Sequence, residues 1–131
     1  MIAPKYPKVL VVDDEIDVLL TIKKGLEEYG FLVDAFNDPI EALASFKASE
    51  YGLSLLDLRL PCMNGLELSL KIRKLDKAVK VCFITAFPVY YETLVEENPD
   101  LDFSCFIKKP VTIDSLVKRI KAELDIEDRG I

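Results

Sequence analysis

Leu53-Ser54-Leu55-Leu56-Asp57-Leu58-Arg59-Leu60-Pro61-Cys62-Met63-Asn64-Gly65 (LSLLDLRLPCMNG) is the stretch around which the chain organises. Its apolar start, Leu53 to Leu56, ends on an acid, Asp57, and Pro61, Asn64 and Gly65 then break the run into a loop. A continuous apolar run of this length reads as a buried parallel strand that surfaces at its carboxylate. Open α/β sheets place their ligands just beyond the carboxyl ends of such strands. An isolated Asp in that position commonly does no more than end a strand or cap a turn. The other strand ends decide the matter for Asp57.

Working outward, Lys8 to Val12 (KVLVV) is a β-branched run that stops at Asp13-Asp14-Glu15. The spacing of Leu19, Ile22, Leu26 and Tyr29 predicts a helix from about Ile16 to Tyr29, with Gly30 as its stop. Phe31 to Phe36 reads as a second strand. Asp38-Pro39-Ile40-Glu41 then combines an N-cap acid, an early Pro and a capping-box Glu, opening a helix to about Ala48 that buries Leu43 and Phe46. After the strand ending at Asp57, Asn64-Gly65-Leu66-Glu67 opens a third helix to about Leu75. Lys80 to Ile84 is a fourth strand leading to Thr85, and a weakly signalled helix spans Pro88 to Asn98 before Pro99. Ser104 to Ile107 is a fifth strand leading to Lys108-Lys109-Pro110. Thr112 caps a last helix with Ile113, Leu116, Val117, Ile120 and Leu124 on one face.

Five strand–helix units of this kind predict an α/β fold, a parallel sheet covered on both faces. Five units are too few for an eight-fold barrel, so the expectation is a doubly wound, flavodoxin-like three-layer sandwich with strand order 2-1-3-4-5. Residues 1–131 read as a single domain, with a core at about 6–125 and a polar tail at 126–131.

Composition limits the functions available. A net charge of −6 argues against nucleic acid as a direct partner. No apolar run approaches the roughly 20 residues of a membrane span, and MIAPKYPKVLVV lacks a signal-peptide pattern. The absence of histidine excludes His-based catalysis and His-ligated zinc. Cys62, Cys82 and Cys105 show no CxxC spacing and read as free thiols in a reducing cytoplasm.

In the expected strand order the polar strand ends meet. Asp13, Asp14 and Asp57 converge at the topological switch point, where three carboxylates would repel one another without a cation. A hard, oxygen-ligated ion is the natural neutraliser, and Mg²⁺ suits a few carboxylates plus water and phosphate. Lys109 and Thr85, at the ends of the neighbouring strands, suit an anion such as a phosphoryl group. Asp57, central in the cluster, then reads as a nucleophile toward phosphorus.

The pieces VLVVDDE, LLDLRLPCMNG, ITA and FIKKP, in this order and each at a strand end, resemble the receiver domain of two-component response regulators. The likeness is to the single-domain, chemotaxis-regulator-like form and covers roughly residues 6–125. The resemblance implies that Asp57 accepts a phosphoryl group from a histidine kinase or histidine phosphotransfer protein, and that the domain turns over no free substrate. It implies that Asp13 and Asp14 hold Mg²⁺ with Asp57 and the Arg59 backbone carbonyl, and that Lys109 is the family's lysine, with its peptide to Pro110 often cis. Thr85 and Phe106 match the switch pair through which phosphorylation alters the partner-binding face, in some members as a phosphorylation-linked homodimer. Lys108 matches a variable position, and Glu15 supports the acidic pocket or the helix N-terminus. Phe87 matches a position that tunes phosphate lifetime, where an apolar group predicts slow self-dephosphorylation.

Residues 89–103 depart most from the family pattern. Three other functions compete. An unphosphorylated pseudo-receiver would act as a protein-interaction module, but such domains usually lack an acid or the lysine. A phosphatase with an aspartyl nucleophile needs an acid two residues after it, where this chain has Arg59. A flavin or dinucleotide protein needs a phosphate loop after the first strand, where Asp13-Asp14-Glu15 would repel a phosphate.

Overall fold

Each apolar run of the sequence becomes a strand of one sheet. The computed structural model describes residues 6–86 and 91–126. In chain order the elements are β1 (Lys8–Val12), α1 (Ile16–Glu28), β2 (Leu32–Phe36), α2 (Pro39–Ser45) and β3 (Tyr51–Asp57). They continue with α3 (Gly65–Leu75), β4 (Lys80–Thr85), α4 (Tyr91–Glu97), β5 (Phe106–Lys108) and α5 (Ile113–Glu123). The strands pair in parallel in the order β2-β1-β3-β4-β5, as the sequence predicts.

The sheet divides the core in two. Val9 and Val11 of β1 join Leu53, Leu55, Ile84 and Ile107 beneath α1 and α5. Leu10 and Val12 point the other way, toward Leu56, Phe83, Leu68 and Ile72 on the side of α2 and α3. Burial of both faces is why these strands are continuously apolar rather than alternating. Each buried Leu or Ile contributes roughly 2 kcal/mol through area removed from water. At the end of α1, Gly30 has φ 100°, a left-handed conformation that turns the chain into β2. Asp38, Asn64 and Thr112 cap α2, α3 and α5 by accepting the N–H of Ile40, Glu67 and Ser115.

Local departures from the expected boundaries have local causes. The second helix ends at Ser45 rather than Ala48, because Phe46 turns extended and stacks on Tyr51 with ring centroids 5.3 Å apart. Leu43 is only partly buried. Tyr29 leaves the core face of α1 and is 40% exposed, its hydroxyl donating to Asp114 at the start of α5. The fourth helix is described from Tyr91, and Pro88, where the sequence reading starts it, lies outside the described residues, as does Phe87. Ile126, placed at the head of the polar tail, packs against the α1–α5 core.

The cysteine reading needs correction. Cys82 and Cys105 form a disulfide, and only Cys62 is free. The register that sets Phe83 opposite Phe106 brings the preceding residues side by side, with Cα atoms 4.6 Å apart, within disulfide reach. Twenty-three residues separate the two in sequence, so nothing in local spacing reveals the pair. The inference of a reducing compartment from free thiols therefore loses its support. Among the described residues, no helix is long and apolar enough to cross a membrane.

Candidate functional site

The carboxyl ends of β1, β3, β4 and β5 meet at one edge of the sheet. Val12 pairs with Leu56 and Asp57 with Ile84, so the residues that end or follow these strands gather there. Asp13, Asp14 and Asp57 each offer a carboxylate oxygen, and these oxygens lie within 4.8 Å of one another. Asp13 and Asp57 are buried, whereas Asp14 faces solvent. The convergence expected from the strand order is thus observed.

Asp57 is held at both oxygens. Its Oδ1 accepts the Arg59 backbone N–H at 2.9 Å, and its Oδ2 accepts from Lys109 Nζ at 2.8 Å. The loop behind it is folded tightly, with the Gly65 N–H donating to the Leu58 carbonyl. A Cβ at position 65 would lie 2.2 Å from the Asp57 carbonyl oxygen, so only glycine fits against the strand end. The sequence marks Gly65 as a loop breaker, but nothing in it reveals this approach to Asp57.

Lys109 reaches further than its place after β5 suggests. Its ammonium lies 2.7 Å from Asp13 Oδ2 and 3.6 Å from Glu15 Oε1, as well as against Asp57. Its backbone is anchored there by the Lys109 N–H, which donates to the Thr85 carbonyl at 2.8 Å. The Lys109–Pro110 peptide is cis, as the resemblance implies. Burial alone would lower the Lys109 pKa, but the Asp13 and Asp57 carboxylates override it and raise the pKa above its ordinary value. Lys109 is therefore a fixed cation. Burial also pushes the Asp13 carboxyl up, and the Asp57 charge adds to this, while Lys109 and the Glu15 N–H pull it partly back.

Asp13 Oδ2 is buried, and the Lys109 ammonium is paired with it at 2.7 Å. Three carboxylates that share one ammonium form an all-oxygen donor set with excess negative charge, which fits a hard divalent cation. The cluster can hold such an ion.

Thr85 closes β4 and is buried, and Phe106 opens β5 half-buried, packed with the core on the α3 side. Phe106 faces Phe83 in register, and Thr85 lies two positions further along the same face of β4. The two residues expected as the switch pair thus lie on neighbouring strands, two register positions apart. Lys108 is exposed, as expected of a solvated strand end. A cavity of about 550 Å³ opens beside Lys109 between α1 and the start of α5, lined in part by Val18, Ile22, Ile84 and Val111.

Comparison with known proteins agrees with this geometry. Residues 9–121 match the family described as the response regulator receiver domain. The transcriptional regulatory protein PrrA of Mycobacterium bovis is 33% identical over 118 residues, covering 90% of this chain and 50% of that protein. The response regulator receiver protein CpdR of Brucella abortus is 29% identical over 120 residues, covering 89% of this chain and 96% of that protein. A solved CheY-like receiver domain protein from Methanospirillum hungatei JF-1 superposes with a TM-score of 0.81 at 30% identity, covering 92% of this chain and 95% of the other. The chain spans about half the length of most curated relatives it matches first. With the sheet order, the acidic cluster at its switch point and this match over residues 9–121 in agreement, the chain belongs to the response regulator receiver domain family, and the cluster of Asp13, Asp14 and Asp57 is consistent with a phosphoaccepting site of that family.

Proposed function

We propose that Asp57 is the phosphoacceptor, taking a phosphoryl group from a phosphohistidine of a histidine kinase or histidine phosphotransfer protein in a Mg²⁺-dependent reaction. The observation that carries this reading is the placement of Asp57. It is buried at a strand end, with one oxygen oriented by the Arg59 N–H and the other by the Lys109 ammonium. In the reaction an Asp57 oxygen attacks phosphorus, the P–N bond breaks and the imidazole leaves. The product is an acyl phosphate on Asp57, which water later cleaves.

The chain's own groups serve this step. The Arg59 N–H orients the nucleophile, and the Lys109 ammonium moves from carboxylate to phosphoryl oxygen without changing its charge. The Thr85 hydroxyl turns toward the phosphoryl group, and Phe106 follows into the space vacated, which alters the surface around β5. Asp13, Asp14, Asp57 and the Arg59 carbonyl would hold Mg²⁺, which when bound neutralises charge on the phosphoryl oxygens. The same reading places the protein in the cytoplasm, where such kinases present their phosphohistidine, and admits a phosphorylation-linked homodimer as output.

The test is incubation with Mg²⁺ and acetyl phosphate followed by intact mass measurement. Wild type is expected to gain one phosphoryl group, and Asp57→Asn or Mg²⁺ removal to abolish the gain. An equal gain in Asp57→Asn would overturn the assignment.

A further inference from the structure

The Cys82–Cys105 bridge joins the two strands that carry the site's remaining parts. Cys105 immediately precedes Phe106, Lys109 follows the same strand, and Cys82 lies three residues before Thr85. β5 is the edge of the sheet and only three residues long. Outside its ladder, backbone hydrogen bonds tie it to β4 at either end, Phe83 N–H to the Cys105 carbonyl and Lys109 N–H to the Thr85 carbonyl. Arg119 adds one tether from α5, donating to the Ser104 carbonyl at 2.8 Å. A three-residue strand paired on one side only is the kind of element that opens locally at low free energy. The covalent bond is the strongest restraint on it.

We propose that Cys82 and Cys105 are a redox-responsive clamp on this edge: the bridge holds β5 against β4, and its reduction by a dithiol loosens the segment carrying Phe106 and Lys109. Oxidation state is then a second input on the same edge as the acidic cluster. Both cysteines are buried, so exchange proceeds through local opening of β5, which uncovers Cys105 on the edge side first. A dithiol thiolate attacks Cys105 Sγ, the S–S bond breaks, and Cys82 leaves as a thiolate that takes a proton. The reductant's second thiolate then attacks its own sulfur in the mixed disulfide, releasing Cys105, which is also protonated. The dithiol departs as a cyclic disulfide, and two electrons and two protons have passed to the protein.

The experiment uses the full chain in a Cys62→Ser background, so that the exposed thiol takes no part. Protein is equilibrated without denaturant in mixtures of reduced and oxidised dithiothreitol, acid-quenched, alkylated and weighed, and amide hydrogen exchange is recorded for the two end states. Two thiols are expected to appear and disappear together. Amide exchange across residues 103–109 is expected to rise about tenfold or more on reduction, with β1 unchanged. Cys82→Ser/Cys105→Ser should exchange like the reduced protein and ignore the dithiol; if that variant folds poorly, the reduced and oxidised states of the Cys62→Ser protein give the comparison by themselves. Thiols that stay free in oxidised buffer, a bridge reducible only in denaturant, or equal exchange in the two states would each overturn the clamp. None of these readouts uses a phosphoryl donor, so failure of the clamp and failure of Asp57 phosphorylation are separately visible.

Discussion

Asp13 is fully buried, and its carboxylate shares one ammonium with Asp57. Burial is the main cause that raises the Asp13 pKa, the Asp57 charge adds to it, and the shared Lys109 offsets it only in part. Because its folded pKa lies above the ordinary 3.8, the folded state binds this proton more tightly than the unfolded chain. Stability therefore falls as pH rises from 3.8 through the folded value. Asp13→Asn removes the charge while Lys109 keeps Asp57, so in metal-free buffer it is expected to stabilise the protein by about 1–2 kcal/mol at pH 7. The gain should vanish below pH 3.8, where aspartate is protonated in both states; urea titrations at pH 7 and pH 3 check this. Gly65→Ala is expected to act oppositely, costing about 3 kcal/mol in urea midpoint analysis, since its Cβ would meet backbone rather than a yielding side chain. The members of the site were legible as polar residues interrupting apolar runs. The sharing of Lys109 between Asp13 and Asp57 was not, because it depends on side-chain reach across the sheet and leaves no mark on spacing.

Elements were legible where burial imposes a period and obscure where a tertiary contact overrides one. β1, β3 and β4 announced themselves through runs that only a sheet covered on both faces requires. α3 began at its Asn64 cap, as expected. α2 ended early because Phe46 found Tyr51, and the Cys82–Cys105 pair was invisible until β4 and β5 were side by side. Tyr51 also shows why β3 starts two residues before the obvious apolar run. Its hydroxyl donates to Asp34 of β2 at 2.5 Å, and Lys8 of β1, 2.8 Å from Asp34, lies over its ring, so the three strands are tied at their amino ends. Burial alone would raise the Asp34 pKa, but Lys8 and then Tyr51 reverse this and hold it below 3.8. Its stabilisation is therefore present above pH 3.8 and lost as pH falls through the lowered folded value. Asp34 is 35% exposed, so solvent screening keeps the effect small. Tyr51→Phe is expected to cost about 1 kcal/mol at pH 7 and less at pH 3. A difference that stays constant across this range in urea titrations would show that the hydroxyl does not act through Asp34.

At the scale of the whole molecule, a net charge of −6 surrounds a cluster that already carries more carboxylates than cations. Any salt relieves part of this repulsion by screening, with no preference for where it acts. A cation held by Asp13, Asp14 and Asp57 does something different, because it binds the folded chain and not the unfolded one. Its stabilisation therefore grows with the logarithm of concentration beyond Kd, reaching about 2.7 kcal/mol at a hundredfold excess. For a chain of this size that raises Tm by on the order of 10 °C. Thermal melts in MgCl₂ and in NaCl of matched ionic strength separate the two effects. Magnesium is expected to raise Tm well above the sodium control in the wild type. In Asp13→Asn, where one buried carboxylate charge is lost while Asp57 keeps its own Lys109 contact, most of that difference should disappear. Equal melting in the two salts would show that only general screening operates. A magnesium effect that survives in Asp13→Asn would place the ion elsewhere on this acidic surface, and would break the link between the metal and the carboxylates gathered around Asp57.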